Sequence, residues 1–448
     1  MTAAHSDTVD LALSDATLQA FWMPFTPNRQ FKANPRLFVA AEGMHYVKPD
    51  GGRVLDAMAG LWCVNAGHGQ KRIVEAIQAQ AATLDFVSSF QMSHPAAFEL
   101  AARISEIAPE GLDHVFFTNS GSESVDTALK IARAYHRARG QGERIRFISR
   151  ARAYHGMGWG GLSVSGLSRH RRDFGPLLPE VDHLPHTHDP DNAAFSRGQP
   201  QWGVHFADEL EKLLALHDPA TIAAVIVEPV TGSGGVLPPP IGYLERLREI
   251  CDRHGILLIF DEVITGFGRV GAAFAANAFG VTPDLITCAK GMTNGAVPMG
   301  GVIVHRRIHD AMMSGPPETI ELFHGYTYSA HPLACAAALA ALDVYAEQDL
   351  FARAERIAPL WEKTVHALRQ APHVVDIRNI GLLAAIDLKP RDGAPGSRGN
   401  QCAARCFENG VLIRGSSDTL VLSPPLIIEE EQIEAVFRTI REALEAID

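Results

Sequence analysis

The chain is expected to fold as an α/β protein built on a mainly parallel sheet, and three features of the sequence lead there. Short apolar runs alternate with helical stretches through its middle. Two of those runs end in one reactive charge each: Ile256-Leu-Leu-Ile-Phe260 delivers Asp261, and Leu285-Ile-Thr-Cys-Ala289 delivers Lys290. Runs this apolar read as strands covered on both faces, and such sheets bind ligands at their carboxyl ends. The third feature is composition: 448 residues, 46% hydrophobic and 20% charged, suffice for two or more well-buried domains.

Taken in order, positions 1–66 make an arm followed by short alternating segments. Leu37-Phe-Val and Met44-His-Tyr-Val, with the turn Asp50-Gly51-Gly52 before Val54, predict hairpins. From 67 to 339 the expected strands are His114-Val-Phe-Phe, Arg146-Phe-Ile, Ala223-Ala-Val-Ile-Val, Gly255 to Phe260, Leu285 to Ala289 and Gly301-Val-Ile-Val. This is the main domain. The Ala-rich stretch Pro332 to Leu342 stops at Asp343 and reads as a packed helix, too short to span a bilayer. From 340 to 448 a small α+β domain is expected, with strands at Val374-Val-Asp-Ile, Leu382 to Leu388, Val411 to Arg414 and Thr419 to Leu422. Its last helix aligns Ile433, Val436, Phe437, Ile440, Leu444 and Ile447 on one face. The stretch Arg391 to Asn400 reads as a surface loop.

Charge and cysteine usage exclude other classes. Net charge is -11, and basic residues gather only at Arg169, His170, Arg171 and Arg172, read as a surface turn, which argues against nucleic-acid binding. Six scattered cysteines with no C-x-x-C speak against a disulfide framework or a metal site and for a reducing, cytoplasmic setting. The first twenty residues carry Asp7, Asp10 and Asp15 but no Lys or Arg, unlike a secretory or transit leader.

Four motifs carry chemistry. Thr118-Asn-Ser-Gly-Ser-Glu123 follows a strand and opens a helix expected over Val125 to Arg139. Ser120, Gly121 and Ser122 there suit a phosphate held by free N–H groups and the helix dipole, although a Ser-rich N-cap explains the same residues. Tyr154-His155-Gly156 lies in a loop after a strand, where Tyr154 either stacks on a flat ligand or anchors its loop. Asp261 and Lys290 together suit pyridoxal 5'-phosphate (PLP), whose ring nitrogen calls for an anion and whose aldehyde calls for an amine. A free lysine is neutral in only roughly one molecule in two thousand at pH 7, so a nucleophilic Lys290 needs desolvation or nearby cations. The end of a buried strand provides the first.

The segments Ile259-Phe-Asp-Glu-Val-Ile-Thr-Gly-Phe-Gly-Arg269, Ala289-Lys-Gly-Met-Thr-Asn-Gly-Ala-Val-Pro-Met-Gly300 and His324-Gly-Tyr-Thr-Tyr-Ser-Ala-His-Pro332 closely resemble the class III (omega) aminotransferases of PLP fold type I, from about Trp22 to the C-terminus. The resemblance implies a seven-stranded sheet in a large PLP-binding domain at 67–339, with 1–66 joining the small domain at 340–448. It implies Lys290 as the PLP lysine, Asp261 as partner of the ring nitrogen, Tyr154 and Val263 on opposite ring faces, and His155 beside them. Ser120, Gly121 and Ser122 would hold the phosphate with Thr327 reaching across from a second subunit, and Glu228 would stand behind the ring or serve structure alone. Arg414 would take the substrate carboxylate, a task suited to a guanidinium's paired donors. Trp62, Leu61, Phe86 and Phe90 would line the pocket; large apolar residues are as often core.

Within the family the motifs Trp22-Met-Pro-Phe25 and Val181-Asp-His-Leu-Pro-His-Thr187 point to members acting on an omega-amino acid such as beta-alanine with pyruvate. Such enzymes are homodimers or homotetramers with the site at the subunit boundary. One departure supports pyruvate over 2-oxoglutarate: Glu228-Pro-Val-Thr-Gly-Ser233 has serine where many glutamate-handling relatives carry a second Glu. Diamine or taurine donors stay open, as do aminomutase or decarboxylase chemistry on the same fold and a non-catalytic phosphate-ligand protein.

Overall fold

The computed structural model describes residues 13–448, so the first part of the expected arm lies outside the described residues. Among the described residues, fifteen strands run in chain order. They begin with β1 (Ala40–Glu42), β2 (His45–Val47), β3 (Arg53–Asp56), β4 (Leu112–Thr118), β5 (Arg146–Arg150), β6 (Val181–Leu184), β7 (Ile222–Val227) and β8 (Leu257–Asp261). Then come β9 (Leu285–Cys288), β10 (Gly300–His305), β11 (Val374–Ile380), β12 (Leu383–Leu388), β13 (Val411–Leu412), β14 (Arg414–Ser416) and β15 (Thr419–Leu422).

Seven of them form the main sheet in the order β4-β10-β9-β8-β7-β5-β6. From β9 to β6 all neighbours are parallel, while β10 runs antiparallel to both β9 and β4. The fold is α/β with a mainly parallel sheet, as the alternating pattern implies. Strands β7, β8 and β9 are buried along their whole length, which is why their sequences lack polar alternation. Helix Gly121–Ala138 buries Val125, Ala128, Leu129, Ile131 and Ala132 on one face of the sheet, and helix Tyr243–His254 buries Leu244, Leu247 and Ile250 on the other side of the core.

Two smaller sheets frame this body, β1-β2-β3-β13 and β11-β12-β15-β14. The early strand β3 pairs in parallel with the late strand β13, with Leu55 opposite Val411 and Asp56 opposite Leu412. The expected Val411 to Arg414 strand is therefore split: its first half joins β3, and after Ile413 its second half, headed by Arg414, joins β15. The C-terminal helix Glu430–Glu445 buries Ile433, Val436, Phe437, Ile440 and Leu444 as its spacing implies, while Ile447 is buried just beyond its end, and Phe437 meets the buried Trp361 ring edge-on at 4.8 Å.

Several local expectations shift. Leu37-Phe-Val is not a strand; pairing starts at Ala40, where the register with Val47 begins. Gly255 does not start β8 but closes helix Tyr243–His254 at φ +63°, a conformation glycine adopts without cost. The helix after Ser120 begins at Gly121 rather than Val125, because Ser120 caps it by accepting from the Glu123 N–H at 3.2 Å. Helix Ser397–Glu408 starts inside the expected loop, and the basic turn is a short helix, Ser168–Arg171. The Ala-rich helix runs on to Glu347, and among the described residues no helix is long and apolar enough to cross a membrane.

Candidate active site

The carboxyl edge of the main sheet gathers the reactive groups. Parallel register sets Asp261, the last residue of β8, beside Thr287 of β9, and Lys290 follows three residues later. Lys290 leaves the strand at φ +48°, and Ala59 and Trp62 on the facing segment also have positive φ, at +47° and +59°. Three non-glycine residues held in the left-handed region mark a backbone that the surrounding packing over-determines. The Lys290 turn is braced from below: the Tyr345 hydroxyl donates to the Gly291 carbonyl, and Asn294 bonds both the Ala66 N–H and the Gly67 carbonyl.

Asp261 is buried and its carboxylate is held at both oxygens. His155 Nδ1 lies 2.7 Å from Oδ2, while the Thr287 hydroxyl at 3.1 Å and the Val263 N–H at 3.2 Å donate to Oδ1. Burial is the main influence that lowers the Lys290 amine below its ordinary value of 10.5. The amine feels the charges of Cys63, Asp261 and Glu228, yet among the described residues it forms no ion pair within 4.0 Å. Carboxylate and amine thus share one site without touching.

The walls follow from close packing. Glu228, at the end of β7, accepts the Tyr154 N–H at 2.9 Å and the Gly232 N–H at 2.8 Å, which pins the Tyr154 loop; burial raises its carboxyl above the usual range. Gly156 (φ +90°) sits so close to Ser122 that a Cβ would come within 2.5 Å of its Oγ. The Ser122 hydroxyl in turn accepts the Met157 N–H at 3.1 Å, so the Tyr154 loop rests on the first turn of helix Gly121–Ala138. A Cβ on Gly121 would meet Val263 at 2.8 Å, and that contact joins the helix start to the residue after Asp261. The first-turn N–H groups of this helix have no intrahelical acceptor and face the same space with the positive end of the helix dipole.

Trp62 unites the two cations. Its ring centroid is 5.3 Å from Lys290 Nζ and 5.1 Å from Arg414 Cζ, and its buried Nε1 has no partner. Among the described residues no Asp or Glu lies within 4.0 Å of Arg414, whose guanidinium burial lowers from its ordinary value. The structure thereby brings together Lys290, Asp261, His155, Tyr154, Val263, Glu228, Ser120, Gly121, Ser122, Trp62 and Arg414. The remaining pocket candidates have other surroundings. Leu61 is about half exposed beside Trp62, and Phe86 and Phe90 pack against the Gly325 to His331 loop that carries the exposed Thr327. That loop neighbours the same helix start through Thr127, His324 and Tyr326.

Thr287 is absent from the motif reading. Its signal was a lone hydroxyl in an otherwise apolar strand, a residue that burial allows only with a partner. A second polar group, His188 with Asp376 and Asp387, brings its ligand atoms within 4.8 Å of one another, but the Arg378 guanidinium bonds both carboxylates and takes the place of a cation.

An amine and a carboxylate on adjacent strand ends, a helix start between them and unpartnered buried donors suit a phosphorylated pyridine aldehyde. The family model for class-III aminotransferases matches residues 28–444. The chain belongs to the class III aminotransferases. Members of this class depend on PLP, and the fold is that of PLP fold type I. An omega-aminotransferase of Caulobacter vibrioides is 60% identical over 96% of this chain and 98% of its own length. The beta-alanine–pyruvate aminotransferase of Pseudomonas aeruginosa is 50% identical over 97% of both chains. Among solved structures, a thermostable (S)-enantioselective omega-transaminase from Thermomicrobium roseum superimposes with a TM-score of 0.90 at 35% identity, covering 96% of this chain and 97% of that one. A PLP-bound amine transaminase from an uncultivated Pseudomonas species gives 0.88 at 36% identity, covering 96% and 99%.

Proposed function

We propose that this class III aminotransferase moves the amine of an omega-amino acid, beta-alanine foremost, onto pyruvate, releasing malonate semialdehyde and L-alanine. The observation that carries this reading is Arg414. A guanidinium resting on Trp62, with no carboxylate within 4.0 Å among the described residues, is ready for one brought by the substrate. Relatives whose names specify omega-amino acids and pyruvate support the substrate pair.

Bound PLP supplies an electron sink at the substrate carbon, and the chain's own residues do the rest. Lys290 would anchor the cofactor, and its amine, made less basic by burial, would carry the proton to and from the substrate carbon. Asp261 would hold the proton of the ring nitrogen, with His155 fixing one carboxylate oxygen. Tyr154 and Val263 would hold the ring, Glu228 keeps the Tyr154 loop in place, and Ser120, Gly121 and Ser122 at the helix start would bind the phosphate. Trp62 and Leu61 shape the substrate side.

Thr327, Phe86 and Phe90 complete the site in a homodimer or tetramer of dimers. Their common loop cluster is exposed in the single chain, together with the large apolar surfaces of Trp22, Phe25 and Phe323. The domain division we propose is 1–66 with 340–448 against a cofactor-binding 67–339, and the β3–β13 pairing supports the first grouping. A cytoplasmic setting suits the free thiols.

A panel of amine donors tests the reading, with L-alanine formation from pyruvate as the signal and 2-oxoglutarate as the rival acceptor. Beta-alanine should outperform carboxylate-free amines; activity confined to diamines, or preference for 2-oxoglutarate, would overturn it. Lys290→Ala should lower turnover by at least roughly 10²-fold, and turnover within a few-fold of the parent would remove Lys290 from its role.

A further inference from the structure

We infer that Thr287 is a positioning residue for the cofactor: its hydroxyl sets the plane in which the Asp261 carboxylate meets the ring nitrogen. The inference rests on Asp261 having that role.

The argument starts from strand β9, whose sequence Leu285-Ile-Thr-Cys288 is buried throughout and contains a single hydroxyl-bearing residue. A buried hydroxyl costs free energy unless it finds a partner. Parallel register with β8 puts Thr287 opposite Asp261, and its Oγ1 donates to Asp261 Oδ1 at 3.1 Å. On the other oxygen, His155 Nδ1 stands at 2.7 Å. With the Val263 N–H also on Oδ1 at 3.2 Å, the carboxylate is gripped from three directions supplied by three separate segments.

Removing the Thr287 hydroxyl would leave Oδ1 with the Val263 N–H alone, which comes from Asp261's own turn and moves with it. The carboxylate could then pivot about the His155 bond. The backbone ladder holds the Asp261 main chain against β9, and among the described residues the Thr287 hydroxyl alone carries that tie to the carboxylate itself, from the strand that leads into the Lys290 turn. Strand β9 and the turn that follows it would therefore place both groups that grip opposite ends of the cofactor, Thr287 acting on Asp261 from within the strand and Lys290 standing in the turn three residues later.

Valine tests this because it keeps the β-branched shape and loses the donor. In holoenzyme diluted into buffer, loss of the cofactor's visible absorption should be about 10-fold more extensive for Thr287→Val than for the parent at equal concentration, as one hydrogen bond to a charged group is worth. The absorption maximum of the retained cofactor should shift as well. Thr287→Ser keeps the hydroxyl and should restore both properties to within about 2-fold of the parent. Retention and spectrum unchanged in the valine variant would overturn the inference, as would a serine variant as impaired as valine. If the valine variant does not fold, cysteine against serine makes the same comparison, since a thiol is a poor donor. Asp261→Asn separates the two layers: undiminished cofactor retention there would refute the role of Asp261 itself, whereas a loss there with no effect in the Thr287 variants refutes only the present inference.

Discussion

Replacing Arg414 by alanine should divide the substrates into two groups, and the structure says by how much. The guanidinium lies on the Trp62 face at 5.1 Å, is largely withdrawn from water and has no carboxylate within 4.0 Å among the described residues. A substrate carboxylate therefore displaces no internal partner when it binds, and two charge-assisted hydrogen bonds become available to it. Each is worth about 1.5–3 kcal/mol, so their joint loss should cost at least about 3 kcal/mol, or roughly 10²-fold or more in the rate constant at limiting substrate. Steady-state turnover would blur the result, since pyruvate brings a carboxylate of its own to the second half of the cycle. The donor half-reaction should instead be followed alone, by the change in cofactor absorption after mixing with one amine and no acceptor. Beta-alanine should slow by at least about 10²-fold, while an aryl amine without a carboxylate should stay within about 3-fold of the parent. Equal losses for both donors would refute the reasoning and reassign Arg414 to the architecture of the pocket.

Two further outcomes follow from packing and charge. Gly156→Ala would bring a Cβ to 2.5 Å from Ser122 Oγ and 2.7 Å from its Cα while requiring φ +90°, so it should destabilise the protein by about 2 kcal/mol or more and weaken cofactor retention; denaturant titration and absorption together check this. Lys290 has its pKa lowered by burial, so between its folded and unfolded values the unfolded chain binds the additional proton and stability rises with pH. In protein stripped of cofactor, Lys290→Met should therefore raise the melting temperature at about pH 7 and lose that advantage as pH climbs toward the ordinary lysine value of 10.5. An advantage that does not change with pH would show that packing, not ionisation, is responsible.

What could be read from residues alone was mostly what local patterns encode. The buried runs ending at Asp261 and Lys290 announce parallel strands because no polar alternation survives where both faces are covered. The final helix was visible through its spacing for the same kind of reason. Direction and partnership were not visible: nothing in Gly301-Val-Ile-Val tells that β10 runs against its neighbours, and β6 is too short and too polar to stand out. The division of Val411 to Arg414 between two sheets depends on residues far away in sequence. At the site, the charged pair and the Tyr154 loop were legible as motifs. The grip of Glu228 on that loop, the bond from Thr287 and the shared Trp62 face arise only from three-dimensional juxtaposition. Phe86 and Phe90 illustrate the converse, since their surroundings in one chain are the Thr327 loop rather than Lys290.

The parallel pairing of β3 with β13 has a consequence for how the polypeptide matures. Leu55 and Asp56 leave the ribosome early, but their neighbours Val411 and Leu412 come hundreds of residues later. Until then β3 offers an open edge, which is a template for unwanted association. Shortening the chain before residue 411 should leave that edge permanently bare, so truncated products are expected to aggregate or be degraded even though every residue of the main sheet has been synthesised.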